Sequence, residues 1–292
     1  MRSILKLVTL FGAFLTFNIA TLSHVLADVV GVSKPWQLGL SDPATPLMER
    51  IQWFHDDFLL IIITVITLFV TFLLIYCMIK FNARANPVPT KTTHNTLLEV
   101  AWSTIPVLIL VVVAIPSFKL LYFDRTIPEV DMTIKATGNQ WYWTFEYQDD
   151  AHKGIEFDAV MLEDDERKPG QPRLLAVDNN IVVPVNKVVR VVVTASDVIH
   201  NFAMPAFGLK MDAVPGRLNE TWFKATSTGI YYGQCSELCG IRHAFMPLAI
   251  KVVSDEDFKK WVVKAKKEFA AAPATSKNVD LAMTKTNTTS AN

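Results

Sequence analysis

The chain has 292 residues, 28 Lys plus Arg balanced by 28 Asp plus Glu, and is 51% hydrophobic with only 19% charged. That length leaves room for more than one folded unit, and the composition is rich for a soluble protein. No basic patch suited to nucleic acid, no phosphate-binding loop, no catalytic triad and no C-x-x-C-H haem attachment is found along it.

Residues 1–27 read as a secretory signal peptide. Arg2 and Lys6 open it, an apolar run follows, and Val25-Leu26-Ala27 offers a small-residue cleavage site, with a retained anchor as the alternative. Residues 28–57 follow as an extracytoplasmic segment. Phe58 to Ile79 is 22 residues without a charge, enough for a helix to cross a hydrocarbon core of about 30 Å. Cys77 lies inside it and is read as a lipid-depth or interface residue.

A second apolar stretch, 101–121, contains Pro106 and Pro116, which membrane helices tolerate. The two spans make a transmembrane hairpin over 58–123. Their connecting loop, 80–96, holds Lys80, Arg84 and Lys91 and no acid, so the positive-inside tendency places it in the cytoplasm. The N-terminus of the mature chain and everything after residue 124 then lie outside, in the periplasm of a bacterium. Glu99, at the cytoplasmic start of the second span, is either a headgroup-anchored charge or a functional acid.

Residues 124–253 are β-rich. Runs at 130–137, 141–147, 181–185 and 187–194 are β-branched or aromatic, and shorter ones fit near 221–225, 229–233 and 246–253. Strands of this kind predict an all-β two-sheet sandwich or Greek-key barrel. Trp141 and Trp143, alternating within one run, are expected to share a strand face. Residues 149–172, with their acidic EDDERKPGQP run, read as a region of low order. Acid-first, base-last patterning predicts a helix over 254–270, and 271–292 read as a disordered tail.

The stretch Cys235-Ser-Glu-Leu-Cys239-Gly-Ile-Arg-His243-Ala-Phe-Met246 carries the chemistry, with His200 as a further imidazole 35 residues before Cys235. Thiolate, thioether and imidazole together favour copper over hard cations, and two cysteines in one loop can bridge two ions. A disulfide or a Cys2His2 zinc site would use some of the same residues, but neither uses Met246.

The loop C-S-E-L-C-G-x-x-H-x-x-M, with Gly138-Asn-Gln-Trp-Tyr-Trp143, Asp212-Ala-Val-Pro-Gly-Arg-Leu218 and Tyr232-Gly-Gln234, resembles subunit II of bacterial and mitochondrial haem–copper cytochrome c oxidases of the aa3 type, over about residues 40–265. The resemblance implies a two-helix membrane anchor, a cupredoxin-like sandwich and a dinuclear copper centre, CuA. Cys235 and Cys239 would bridge two copper ions, His200 and His243 would bind one each, and Met246 and the Glu237 carbonyl would be weak ligands. The Glu237 side chain would reach a magnesium or manganese ion shared with subunit I.

The resemblance further implies that Trp141 receives the electron from cytochrome c. Glu146, Asp149, Asp178 and Asp197 would be docking acids, and Glu99 would sit by the mouth of a proton-uptake path. The partners would be cytochrome c, the haem-bearing subunit I, subunit III and the lipid bilayer. A quinol oxidase subunit would lack the copper ligands. A copper chaperone would have no use for Trp141, and a thiol oxidoreductase would show C-x-x-C near a βαβ pattern.

Overall fold

The computed structural model describes residues 31–88 and 90–269. The signal peptide read over 1–27 and the tail read over 271–292 fall outside them.

Helix α1 spans Pro46–Lys80, with a wider π-helical turn over Trp53–Leu59. Thr45 caps it, its hydroxyl accepting from Met48 N at 3.1 Å, and Pro46 opens it with a preset φ. The helix therefore starts well before the uncharged run at Phe58. Glu49, Arg50, Asp56 and Asp57 hide this first part from a hydropathy reading, while Leu47 and Met48 bury themselves against the sandwich. Helix α2 spans Thr96–Arg125, capped by Asn95, whose side chain accepts from Leu98 N, and continues through Pro106 and Pro116. Both helices are long and apolar enough to cross a membrane, and their apolar side chains are exposed over the hydrophobic stretches.

Among the described residues ten strands follow: β1 Met132–Asn139, β2 Tyr142–Tyr147, β3 Glu156–Ala159, β4 Ile181–Pro184, β5 Val188–Ala195, β6 His200–Met204, β7 Leu209–Ala213, β8 Asn219–Lys224, β9 Gly229–Cys235 and β10 Pro247–Val253. They form two five-stranded sheets, β3-β2-β1-β5-β8 and β4-β10-β9-β6-β7. β1 with β5 and β4 with β10 are parallel, and the other pairs are antiparallel. Alternation sends Val189, Val191 and Val193 of β5 inward, where they meet Trp143, Phe145, Phe202 and Leu248 in one core. Each fully buried side chain of this size contributes about 1.5–3 kcal/mol. Tyr147 joins the sheets directly: its hydroxyl donates to Val182 O at 2.7 Å and accepts from Val182 N at 2.9 Å.

Residues 149–172, expected to have low order, instead contain β3 and a bridge between Met161 and Val177. The acidic composition concealed the alternation of Ile155, Phe157 and Ala159, all buried. Helix α3, Asp255–Phe269, sits on the same region through Trp261 against Tyr147 and Phe269 against Phe157, with ring centroids 5.4 and 4.8 Å apart.

The hairpin is fastened to the sandwich at the end of α2. Trp222 Nε1 donates to Asp124 O at 3.0 Å and packs edge-on against Phe123, while the Arg50 guanidinium lies 3.7 Å over the Phe123 ring.

Candidate metal centre

Two neighbouring strands bring the donors together. His200 opens β6 and Cys235 closes β9, and the ladder places Cys235 opposite Phe202, two residues after His200. The chain then leaves the sheet and returns as β10, so that Cys235 N donates to Met246 O at 3.3 Å. Cys239 and His243 occupy the loop between, which is tightened by a short 3-10 turn over His243–Phe245.

The Cys235 and Cys239 sulfurs are 3.8 Å apart and unbonded. His200 Nδ1 lies 4.0 Å from Cys235 Sγ and His243 Nδ1 3.6 Å from Cys239 Sγ. Met246 Sδ is 3.4 Å from Cys239 Sγ, and the Glu237 carbonyl is 3.3 Å from Cys235 Sγ. The candidate donors read from the sequence therefore gather around the two sulfurs, with His200, Cys235, Cys239 and Met246 buried.

The thiols are unequal. Burial raises the Cys235 pKa, but hydrogen bonds from His200 and from backbone amides outweigh it and bring it down to about 7. Burial and the neighbouring Cys235 charge push Cys239 up to about 12. Two sulfurs this close resist joint ionisation unless a cation lies between them, which suits a metal site. Six soft or neutral donors, including a thioether and a carbonyl, exceed what a tetrahedral zinc site uses and fit copper.

A second layer holds the ligands. Asp197 Oδ1 lies 2.8 Å from His200 Nε2 and so turns Nδ1 toward the sulfurs. Burial would raise the Asp197 pKa, yet hydrogen bonds from His200, Val198 N and Gln140 N hold it below the usual carboxylate range. For His200, burial disfavours the charge, but Cys235 and Asp197 move its pKa upward overall. Gly138 lets the His200 ring approach β1, since a Cβ there would lie 2.8 Å from His200 Cδ2.

Trp141 departs from expectation. It lies in the two-residue turn between Asn139 and Tyr142, ahead of β2, and does not share a strand face with Trp143. Its indole is half-buried against the metal loop, Nε1 donating to Cys239 O at 3.2 Å. Trp143 is fully buried and packs edge-on against His200 at 6.1 Å.

The acids read as docking residues have local partners. Glu146 faces Lys135 at 3.5 Å, Asp149 accepts from Thr133 N at 2.9 Å, and Asp178 accepts from Val160 N at 2.8 Å. Only Asp197 touches the site. Sequence reasoning missed Gln140, whose side chain donates to Cys239 O at 2.7 Å, and Asp158, which with Asp197 puts negative charge near Tyr142. Gln140 stands next to Trp141, which was the available signal.

The Glu237 side chain is exposed on the loop, beside the exposed Leu238 and Ile241. Glu99 lies in the first turn of α2, roughly 40 Å along that helix from the sandwich.

Fold and site together define a membrane-anchored, cupredoxin-like sandwich whose soft-ligand metal centre sits at one end. Residues 132–253 match the family described as cytochrome C oxidase subunit II, periplasmic domain, and residues 33–120 match its transmembrane domain. A protein of Rickettsia bellii named probable cytochrome c oxidase subunit 2 is 58% identical over 233 residues, covering 80% of this chain and 86% of that protein. Cytochrome c oxidase subunit 2 of Cereibacter sphaeroides is 44% identical over 257 residues, covering 82% and 84% respectively. Among solved structures, the periplasmic domain of subunit II of Bradyrhizobium japonicum cytochrome oxidase is 64% identical, covering 50% of this chain and 100% of that one, with a TM-score of 0.46. The chain belongs to the cytochrome c oxidase subunit II family.

Proposed function

We propose that the chain carries electrons from cytochrome c into a respiratory oxidase, where subunit I reduces oxygen to water with proton translocation. The observation that carries this reading is the convergence of His200, Cys235, Cys239, His243, Met246 and the Glu237 carbonyl at the end of the sandwich. Cys235 and Cys239 would bridge two copper ions, each completed by one imidazole, with Met246 and the Glu237 carbonyl as weak ligands. Such a centre spreads one electron over two metals, so its bonds change little on reduction. The chain's own part is to hold the ligands still, through Asp197 on His200 and through the paired backbone of Cys235.

Trp141 would receive the electron, because it is half-exposed and hydrogen-bonded to the Cys239 carbonyl. Asp197, Asp158 and Asp178, with Glu146 and Asp149 further along the sheet, would attract a basic cytochrome. Such steering raises association rate and weakens with salt. The exposed Glu237 carboxylate would serve a magnesium or manganese ion shared with subunit I, beside the apolar loop residues Leu238 and Ile241. Subunit III would complete the complex. The basic 80–96 loop supports a cytoplasmic position for that side, and the sandwich would then lie in the periplasm, with the signal peptide removed and both spans in the inner membrane.

Metal analysis and electron paramagnetic resonance of the copper-loaded protein test this reading. Two coppers per chain sharing one unpaired electron are expected. A single copper with a localised electron, or zinc in its place, refutes it.

A further inference from the structure

The two ends of the metal loop are secured differently. Cys235 closes a strand, and its backbone is paired with β6 and with Met246. Cys239, four residues on, lies outside any strand. Its carbonyl is instead held by the β1–β2 turn, from Gln140 Nε2 at 2.7 Å and Trp141 Nε1 at 3.2 Å. Two donors thus engage the one carbonyl, and the Gln140 bond is the shorter.

Gln140 also faces the other way. Its backbone N–H donates to Asp197 Oδ2 at 2.7 Å, and the other oxygen of that carboxylate lies 2.8 Å from His200 Nε2. A line of hydrogen bonds therefore runs from His200 through Asp197 and Gln140 to Cys239, joining metal ligands on separate elements. The loop makes room for it at Gly240, where φ is +121° and a Cβ would lie 3.1 Å from Gln140 Nε2. Any other residue there would be strained and would press on the clasp.

The geometry assigns Gln140 as a positioning residue that keeps the Cys239 half of the metal centre in register with the His200 half. This rests on the copper reading of the site. Gln140 is exposed, so the competing role is contact with a partner, and the two roles differ in what they move. A partner-contact residue changes KM for cytochrome c and its salt dependence. A positioning residue changes the copper centre itself, with no partner present.

The test uses the full chain in its oxidase complex, as Gln140→Leu and Gln140→Glu, neither of which can donate from the side chain to the Cys239 carbonyl at neutral pH. The unaltered protein must first show two coppers sharing an electron; otherwise the site reading has failed and the assignment falls with it. Given that, both variants are expected to release copper to a chelator about 10- to 100-fold more readily and to show an altered hyperfine pattern. Gln140→Lys, which restores a donor of sufficient reach, is expected to recover copper retention. Unchanged spectra and retention with only a raised KM overturn the assignment. So does failure of the lysine variant to restore retention, whether or not the other two assemble.

Discussion

Trp141 Nε1 donates to the Cys239 carbonyl at 3.2 Å, which ties a half-exposed indole to the backbone of a thiol in the metal centre. Trp141→Phe keeps an aromatic ring and removes that bond, worth about 1 kcal/mol. Gln140 still holds the same carbonyl, so copper content is expected to stay at the unaltered level. Oxidation of cytochrome c, followed by stopped flow, is expected to slow. Unchanged turnover would move the receiving residue elsewhere.

Cys235→Ser and Cys239→Ser each replace a soft donor by a hydroxyl that ionises far less readily. Copper per chain is expected to fall below two, and the shared-electron signal to disappear. Both cysteines are buried at the rim of the core, so a loss of about 1–3 kcal/mol in stability is expected, with the sandwich still folded. Metal analysis, resonance spectra and thermal melting separate these effects. Retention of the shared-electron signal in either variant would exclude the bridging roles.

Gly138→Ala tests the contact between β1 and the histidine. The added methyl would lie 2.8 Å from His200 Cδ2 and 2.9 Å from Cγ, so the ring must move. Overpacking of this kind costs about 1–3 kcal/mol. A lower melting temperature is expected together with weaker copper binding. A melting temperature equal to that of the parent would mean the strand yields instead.

Asp197 supplies a pH prediction. Hydrogen bonds from His200, Val198 and Gln140 outweigh burial and hold its folded pKa below the unfolded value of about 3.9. A depressed carboxylate contributes stability that is fully present above the unfolded pKa and lost as pH falls through the folded one. Metal-free protein is therefore expected to melt higher than Asp197→Asn at pH 6, with the gap closing below about pH 4. A gap that stays constant down to pH 3 would show that the charge is not what Asp197 contributes.

Glu99 sits a membrane span away from the copper site, in the first turn of α2. Glu99→Ala is expected to slow proton-coupled turnover and to leave the copper spectra untouched. Intact turnover removes it from any proton path.

The candidate metal donors were legible because the loop from Cys235 to Met246 packs most of the soft side chains into twelve consecutive residues. The spans were legible because the apolar runs are contiguous. Two kinds of feature were not. The first part of α1 carries charges and is helical because Thr45 caps it and Leu47 and Met48 pack on the sandwich. The strand β3 hides in acidic sequence and is recognisable only through its pairing with β2.

By itself, then, the sequence determined the membrane anchor, the β-rich outer domain and the donor types of its metal site, since each depends on neighbours along the chain. Only the tertiary structure decided which residues steady those donors. Gln140 and Cys239 are 99 residues apart, and Gln140 and Asp197 are 57 apart. No local pattern encodes such a meeting. It arises because the pairing of β1 with β2 and with β5 carries a two-residue turn to the end of the sandwich where β6 and β9 deliver the ligands.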